Sequence, residues 1–124
     1  MRRSLLCLSL ILFFAACKKS GTSPNALQGI WIEKTQRMDT INFDNLVFST
    51  STPPVFDLRS QPNGYNNLYS YSFKTDSILL RSFNSSYSGF YAYYFKQNNS
   101  AMFSISNFYH KPSLPALLQF ERIR

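Results

Sequence analysis

One histidine, six carboxylates and a row of tyrosines are the side chains here with chemistry to offer, and their spacing limits what that chemistry is. His110, within Phe108-Tyr-His-Lys-Pro112, has the imidazole of a general base or a metal ligand. No second histidine shares the chain with it, and both cysteines, Cys7 and Cys17, lie near the N-terminus. His110 therefore reads as a solvated loop residue, with no metal site and no cofactor expected. Asp39, Asp44 and Asp76 sit beside turns, where aspartate bonds nearby backbone. Glu33 and Glu121 would approach if the first and last strands paired, and glycoside hydrolysis needs two facing carboxylates. Their neighbours Lys34, Arg122 and Arg124 instead favour two solvent-facing groups in weak surface ion pairs. Serines abound, yet no Gly-x-Ser-x-Gly sets one on a nucleophile elbow. No catalytic residue is expected.

The tyrosines make the stronger case. Tyr69, Tyr71 and Phe73 alternate with Ser70, Ser72 and Lys74. Tyr91, Tyr93 and Phe95 form a second stripe, with Ala92 and Tyr94 on its other face. A phenol offers apolar area and one hydrogen bond, so Tyr69, Tyr71, Tyr91, Tyr93 and Tyr94 are candidates to line a binding cup. Each stripe also reads as one face of a core, although every buried hydroxyl then needs a partner. An interior void above roughly 300 Å³ would mark a ligand site, whereas a filled interior would mark a scaffold.

Such stripes require strands. Period-two alternation predicts strands at 29–34, 40–43, 46–49, 55–59, 68–74, 77–83, 90–96, 101–108 and 117–123. Pro53-Pro54 and Gln61-Pro-Asn-Gly64 punctuate them, as do polar connectors at 74–77, 85–89 and 97–100. No helical period of useful length follows Cys17. The fold class is all-β, an antiparallel up-and-down meander of eight or nine short strands. Closing or nearly closing it into a small barrel removes exposed edges, with 29–34 pairing to 117–123. About eight strands enclose just enough room for side chains or one small ligand.

Ahead of the strands, Arg2-Arg3 precede a twelve-residue apolar run from Leu5 to Ala16. That is short of the roughly 18 residues that span a bilayer, so it reads as a signal-peptide helix, residues 1–16. Phe14-Ala15-Ala16-Cys17 resembles the lipobox of bacterial lipoproteins. The resemblance implies cleavage before Cys17 and lipidation of that residue, making a membrane the partner. Residues 17–26 then form the lipidated cysteine and a polar tether, Lys18-Lys-Ser-Gly-Thr-Ser-Pro-Asn25 being too polar to order itself. Residues 27–124 are the one domain, without a thiol or disulfide.

Leu27-Gln-Gly29-Ile-Trp31 opens that domain and Phe120-Glu-Arg122-Ile-Arg124 ends it. This resembles the lipocalin and wider calycin pattern, where a Gly-x-Trp on the first strand packs under a basic residue near the chain's end. Carried over, Gly29 and Trp31 match the first motif, and Arg122 or Arg124 the basic partner. The resemblance extends to small bacterial lipocalin-like lipoproteins, with a lipobox, a short tether and one barrel.

Basic residues exceed acidic ones by seven, but beyond Lys18-Lys19 they are scattered singly, which argues against nucleic acid as a partner. Two functions remain open. One is a lipid-anchored cup for a small apolar or amphipathic molecule. The other is a non-enzymatic structural or interaction protein with a filled barrel, facing another envelope protein. Lys18-Lys19 follow Cys17, with no aspartate or acidic run; the resemblance to bacterial lipoproteins then implies the periplasmic face of the outer membrane, with the cell surface as the alternative.

Overall fold

Alternating strands bury one face each, and the computed structural model shows how that requirement is met. It describes residues 24–43, 53–62 and 64–124. Cys17, the signal segment and the strand expected at 46–49 lie outside them. The elements are β1 (Ile30–Glu33), β2 (Thr40–Asn42), β3 (Val55–Ser60), β4 (Tyr65–Phe73), β5 (Ser77–Ser82), β6 (Tyr91–Asn99), β7 (Met102–Ser106) and β8 (Leu117–Arg122). All pair antiparallel in chain order, and β8 returns to β1 to close the barrel.

The closing register sets Trp31 opposite Arg122 and Glu33 opposite Phe120. Backbone bonds extend it on both sides, from Ile30 N to Arg124 O at 2.7 Å and from Lys34 N to Gln119 O at 2.9 Å. Gly29 permits this join. Its φ is +122°, and a Cβ there would lie 2.2 Å from the Arg124 carbonyl oxygen.

Several boundaries depart from the sequence expectation: β4 starts at Tyr65, three residues early, and β7 ends at Ser106, two residues early. Pro24 and Asn25, read as tether, belong to a 3-10 helix, Pro24–Leu27. Buried Leu27 explains it, together with the Arg122 guanidinium, whose Nη2 donates to Ala26 O at 2.6 Å. Gln97–Asn99, expected in a connector, instead extend β6 through a bulge. The side chains do the work of a turn: Asn98 Nδ2 donates to Ser104 Oγ, and Asn99 Oδ1 accepts from Ala101 N.

Aromatic rings fill the interior from one end to the other. Trp31 meets Phe103 edge-on at 4.8 Å, and Phe103 stacks on Phe120 and touches Phe95. Phe95 contacts Phe73, then Tyr71, Phe56, Tyr69 and finally Phe108 follow, each neighbouring pair 5.1–5.7 Å apart. Trp31 closes the near end, where the chain enters β1. It is fully buried, its Nε1 donates to Leu27 O at 2.7 Å, and Arg122 Cζ lies 4.6 Å from its ring centroid. At the far end the 107–116 loop folds over the opening and buries Phe108 and Leu114. Each end has its own plug.

Trp31→Ala removes the largest ring in this series and should cost about 3–5 kcal/mol of unfolding free energy. Arg122→Ala, losing the stacking and the packing of its stem, should cost about 1–2 kcal/mol. Urea titration of both variants checks the order.

Candidate functional site

β4 and β6 carry the tyrosine stripes towards the far end, with β5 paired between them, and the structure divides the five candidates. Tyr69, Tyr91 and Tyr93 come together on one recess of about 150 Å³, with Leu80, Phe108 and Tyr87. Tyr71 does not reach it. That residue is buried deeper between Phe43, Phe56 and Phe73, and burial pushes its phenol up to about 12. Tyr94 stands exposed, directed outward from β6 as alternation with Tyr93 and Phe95 requires. The structure thus assembles three tyrosines of the expected set and separates two.

Polar groups punctuate the apolar wall. Ser82, Ser85 and His110 line the recess between the rings. Asn67 Nδ2 donates to Ser82 Oγ at 2.7 Å and Asn84 N donates to the same oxygen at 3.1 Å. With both acceptor positions of Ser82 taken, the hydroxyl has its proton left to offer. Burial raises the Tyr93 phenol, and burial with the Tyr65 hydroxyl raises Tyr69, so both stay neutral donors. Among the described residues, no Asp, Glu, Lys or Arg lines this recess. Tyr87 packs on Tyr91 with ring centroids 5.0 Å apart, and Gly89 leaves room for the Tyr87 ring, which a Cβ would strike at 2.4 Å.

His110 is exposed in a left-handed conformation, φ 51°, unusual for a side-chain-bearing residue. Asn107 imposes it: Nδ2 donates to Lys111 O at 3.0 Å and Oδ1 accepts from Lys111 N at 3.1 Å. That clamp projects His110 between the tyrosine recess and an open neighbouring one of about 440 Å³, lined also by Tyr93, Asn107 and Pro112. Among the described residues, no group of three His, Cys, Asp or Glu is placed to hold a metal.

Against family models, curated proteins and solved structures, the chain finds no match.

Of the two carboxylates expected in surface pairs, Glu33 departs from that expectation, whereas Glu121 keeps to it with Arg37 as its partner. Glu33 is fully buried on the Trp31 face of β1, its oxygens accepting from Thr35 N at 2.7 Å and Gln36 N at 2.9 Å. It ties down its own turn. Glu121, one register position from an inward residue, points outward and pairs with Arg37. The two acids therefore face opposite sides of the sheet, and the facing pair that glycoside hydrolysis requires is not formed.

Asp39 was legible only as a turn residue, yet it anchors the far-end cap. It is 1% exposed and accepts from Ser60 Oγ, Gln61 N, Tyr109 OH and Lys111 Nζ at 2.8–3.0 Å. Lys111 Nζ also donates to Gln61 O at 2.8 Å, so the ammonium is well satisfied. Burial works to raise the Asp39 pKa, but the bonds from Lys111, Tyr109, Gln61 and Ser60 outweigh it and hold the carboxyl below its ordinary 3.8. Burial, then the Asp39 carboxylate, pushes the Tyr109 phenol far up. No local pattern links residue 39 to residues 109 and 111; only barrel closure does.

A carboxyl with a depressed folded pKa stabilises the fold above its unfolded value and loses that contribution as the pH falls through the folded one. The unfolding midpoint in urea should therefore drop below about pH 4 in the parent. Asp39→Asn should cost about 3–5 kcal/mol at pH 7, because Lys111 is left buried without its counter-charge. The variant should also show a shallower acid decline.

Proposed function

We propose that this chain is a lipid-anchored lipoprotein of the cell envelope. Its lipocalin-like barrel is filled, it performs no catalysis, and it acts through the surface at the end remote from its anchor. The observation that carries this reading is the continuous file of aromatic rings from Trp31 to Phe108. At the mouth, the recess that gathers three candidate tyrosines holds only about 150 Å³, and the one of about 440 Å³ that Tyr93 also borders is open rather than enclosed. The smaller volume matches a single benzene-sized ring, well below the roughly 300 Å³ at which drug-sized sites begin. An enclosed lipocalin cavity for a whole apolar molecule is disfavoured.

Surface placement supports the same reading. Among the described residues, Met38, Tyr65, Phe83, Tyr87, Phe90, Tyr91 and Leu117 are exposed in far-end loops or at strand starts there. Scattered apolar residues are ordinary on a surface; a crowd at one end marks an interaction face. Residue 24 joins the barrel at the opposite end, so a lipid on Cys17 leaves this face turned away from the membrane. The lipobox-like Phe14-Ala-Ala-Cys17 supports the anchor, and Lys18-Lys19 support the periplasmic face of the outer membrane. The stacking of Arg122 on Trp31 and the constraint on Gly29 support the lipocalin likeness.

Cys17→Ser should abolish labelling by a fatty-acid analogue and leave uncleaved precursor; full labelling would sink the anchor. A photo-crosslinking residue at Tyr91 should capture a partner in intact cells, and one at Ile123, by the anchored end, should not. Equal capture at both positions, or none at Tyr91, would remove the far-end reading.

A further inference from the structure

The tyrosine recess combines ring faces with hydrogen-bonding groups in a ratio that specifies its occupant. Four phenols, Ser82, Ser85 and His110 converge on a volume fit for one six-membered ring. Ser82 and Ser85 already accept from the chain through Oγ, but a wholly apolar ring would return no bond to their protons or to the phenols and imidazole that water reaches. A charged ring would meet no counter-charge in this recess, since among the described residues no acidic or basic side chain lines its wall; of the cations in the flanking hollows, Lys111 is paired with Asp39 and Arg81 lies over Phe90. What satisfies both constraints is an uncharged ring with C–H faces to lay on aromatic surfaces and hydroxyls around its edge. A neutral pyranose has that chemistry.

Neighbouring hollows extend the argument to a chain. Ser82, Ser85 and Tyr87 are shared with a second recess of about 240 Å³ beside the 83–90 loop, which also has Ser86 and Ser88. Tyr93 and His110 are shared with the open recess on the other side. The three hollows are thus neighbours at the barrel mouth, each flanking one sharing wall residues with the ring-sized one. The backbone around it is set in advance, through the Asn107 clamp behind His110 and the Gly89 contact that seats Tyr87.

We propose that the far-end mouth is a binding site for a neutral glycan, one sugar ring stacking in the central recess and its neighbours lying in the flanking hollows. This rests on the far end being the working face and names its ligand class.

The test is a glycan microarray bearing neutral hexose, deoxyhexose and N-acetylhexosamine oligomers beside charged glycans, probed with the full chain solubilised in detergent. Saturation-transfer NMR with the hit oligomer, its monosaccharide and phenol follows. Expected are neutral hits, saturation of ring C–H protons, and weaker binding by the monosaccharide than by the oligomer. Tyr91→Ala should weaken binding at least tenfold. Tyr91 is 54% exposed, so the variant should keep the parent unfolding midpoint. Tyr94→Ala, outside the recess on the same strand, should bind as the parent does. A blank array, binding of phenol alone, a preference for charged glycans, or undiminished binding by Tyr91→Ala would overturn the proposal. Capture of a protein at Tyr91 together with a blank array would overturn the glycan and leave the far-end face standing. Failure of both experiments would overturn both.

Discussion

Everything in this barrel depends on joining its first and last strands. β1 and β8 share a three-pair ladder, extended by backbone bonds on each side. Without that seam two edges with unpaired backbone groups would be exposed. The seam also creates the near-end plug, because it brings Arg122 over Trp31 across nearly the whole length of the domain. Gly29 is the enabling residue: the chain must pass the Arg124 carbonyl so closely that any side chain would part the strands.

A closed sheet of eight strands leaves a cylinder that must be filled. Neither cysteine lies in the described domain, so packing carries the stability a disulfide would otherwise share. Large planar rings suit the task, since edge-on and tilted contacts let the file turn through the interior from Trp31 to Phe108. The far end is closed by another means. The 107–116 loop contributes Phe108 and Leu114 to the core, while Lys111 reaches back to Asp39. A buried ion pair gains little net energy over an apolar pair, but its directional bonds admit one placement of the loop. That placement also sets His110 at the mouth.

The two ends therefore have different roles. The near end is closed by Trp31 and Leu27 where the chain enters. The far end is capped beneath its surface and carries shallow hollows, phenols, serines and an exposed histidine above it. Long β4 and β6 and the 83–90 loop supply that relief without opening the core.

Alternation alone determined the all-β class, most strand positions and which residues share a face, Tyr69 with Tyr71 and Tyr93 with Phe95, because a period of two is a local property of the chain. It also marked the paired ends, since Trp31 and the C-terminal arginines are distinctive residue types in short segments. What it did not contain was distance. Glu33 reads like any strand carboxylate, yet its register at the end of β1 turns it inward to its own turn. Asp39 and Lys111 are 72 residues apart in the chain and meet only because the loop after β7 crosses the barrel mouth. Tyr91 and Tyr94 look alike as candidates, and three residues of strand place them on opposite faces. Whether a tyrosine stripe is core or binding surface was likewise undecided until closure fixed how much volume remained. Residue type and periodicity act between neighbours along the chain, whereas cavities and ion pairs arise between strands that only the closed sheet brings together.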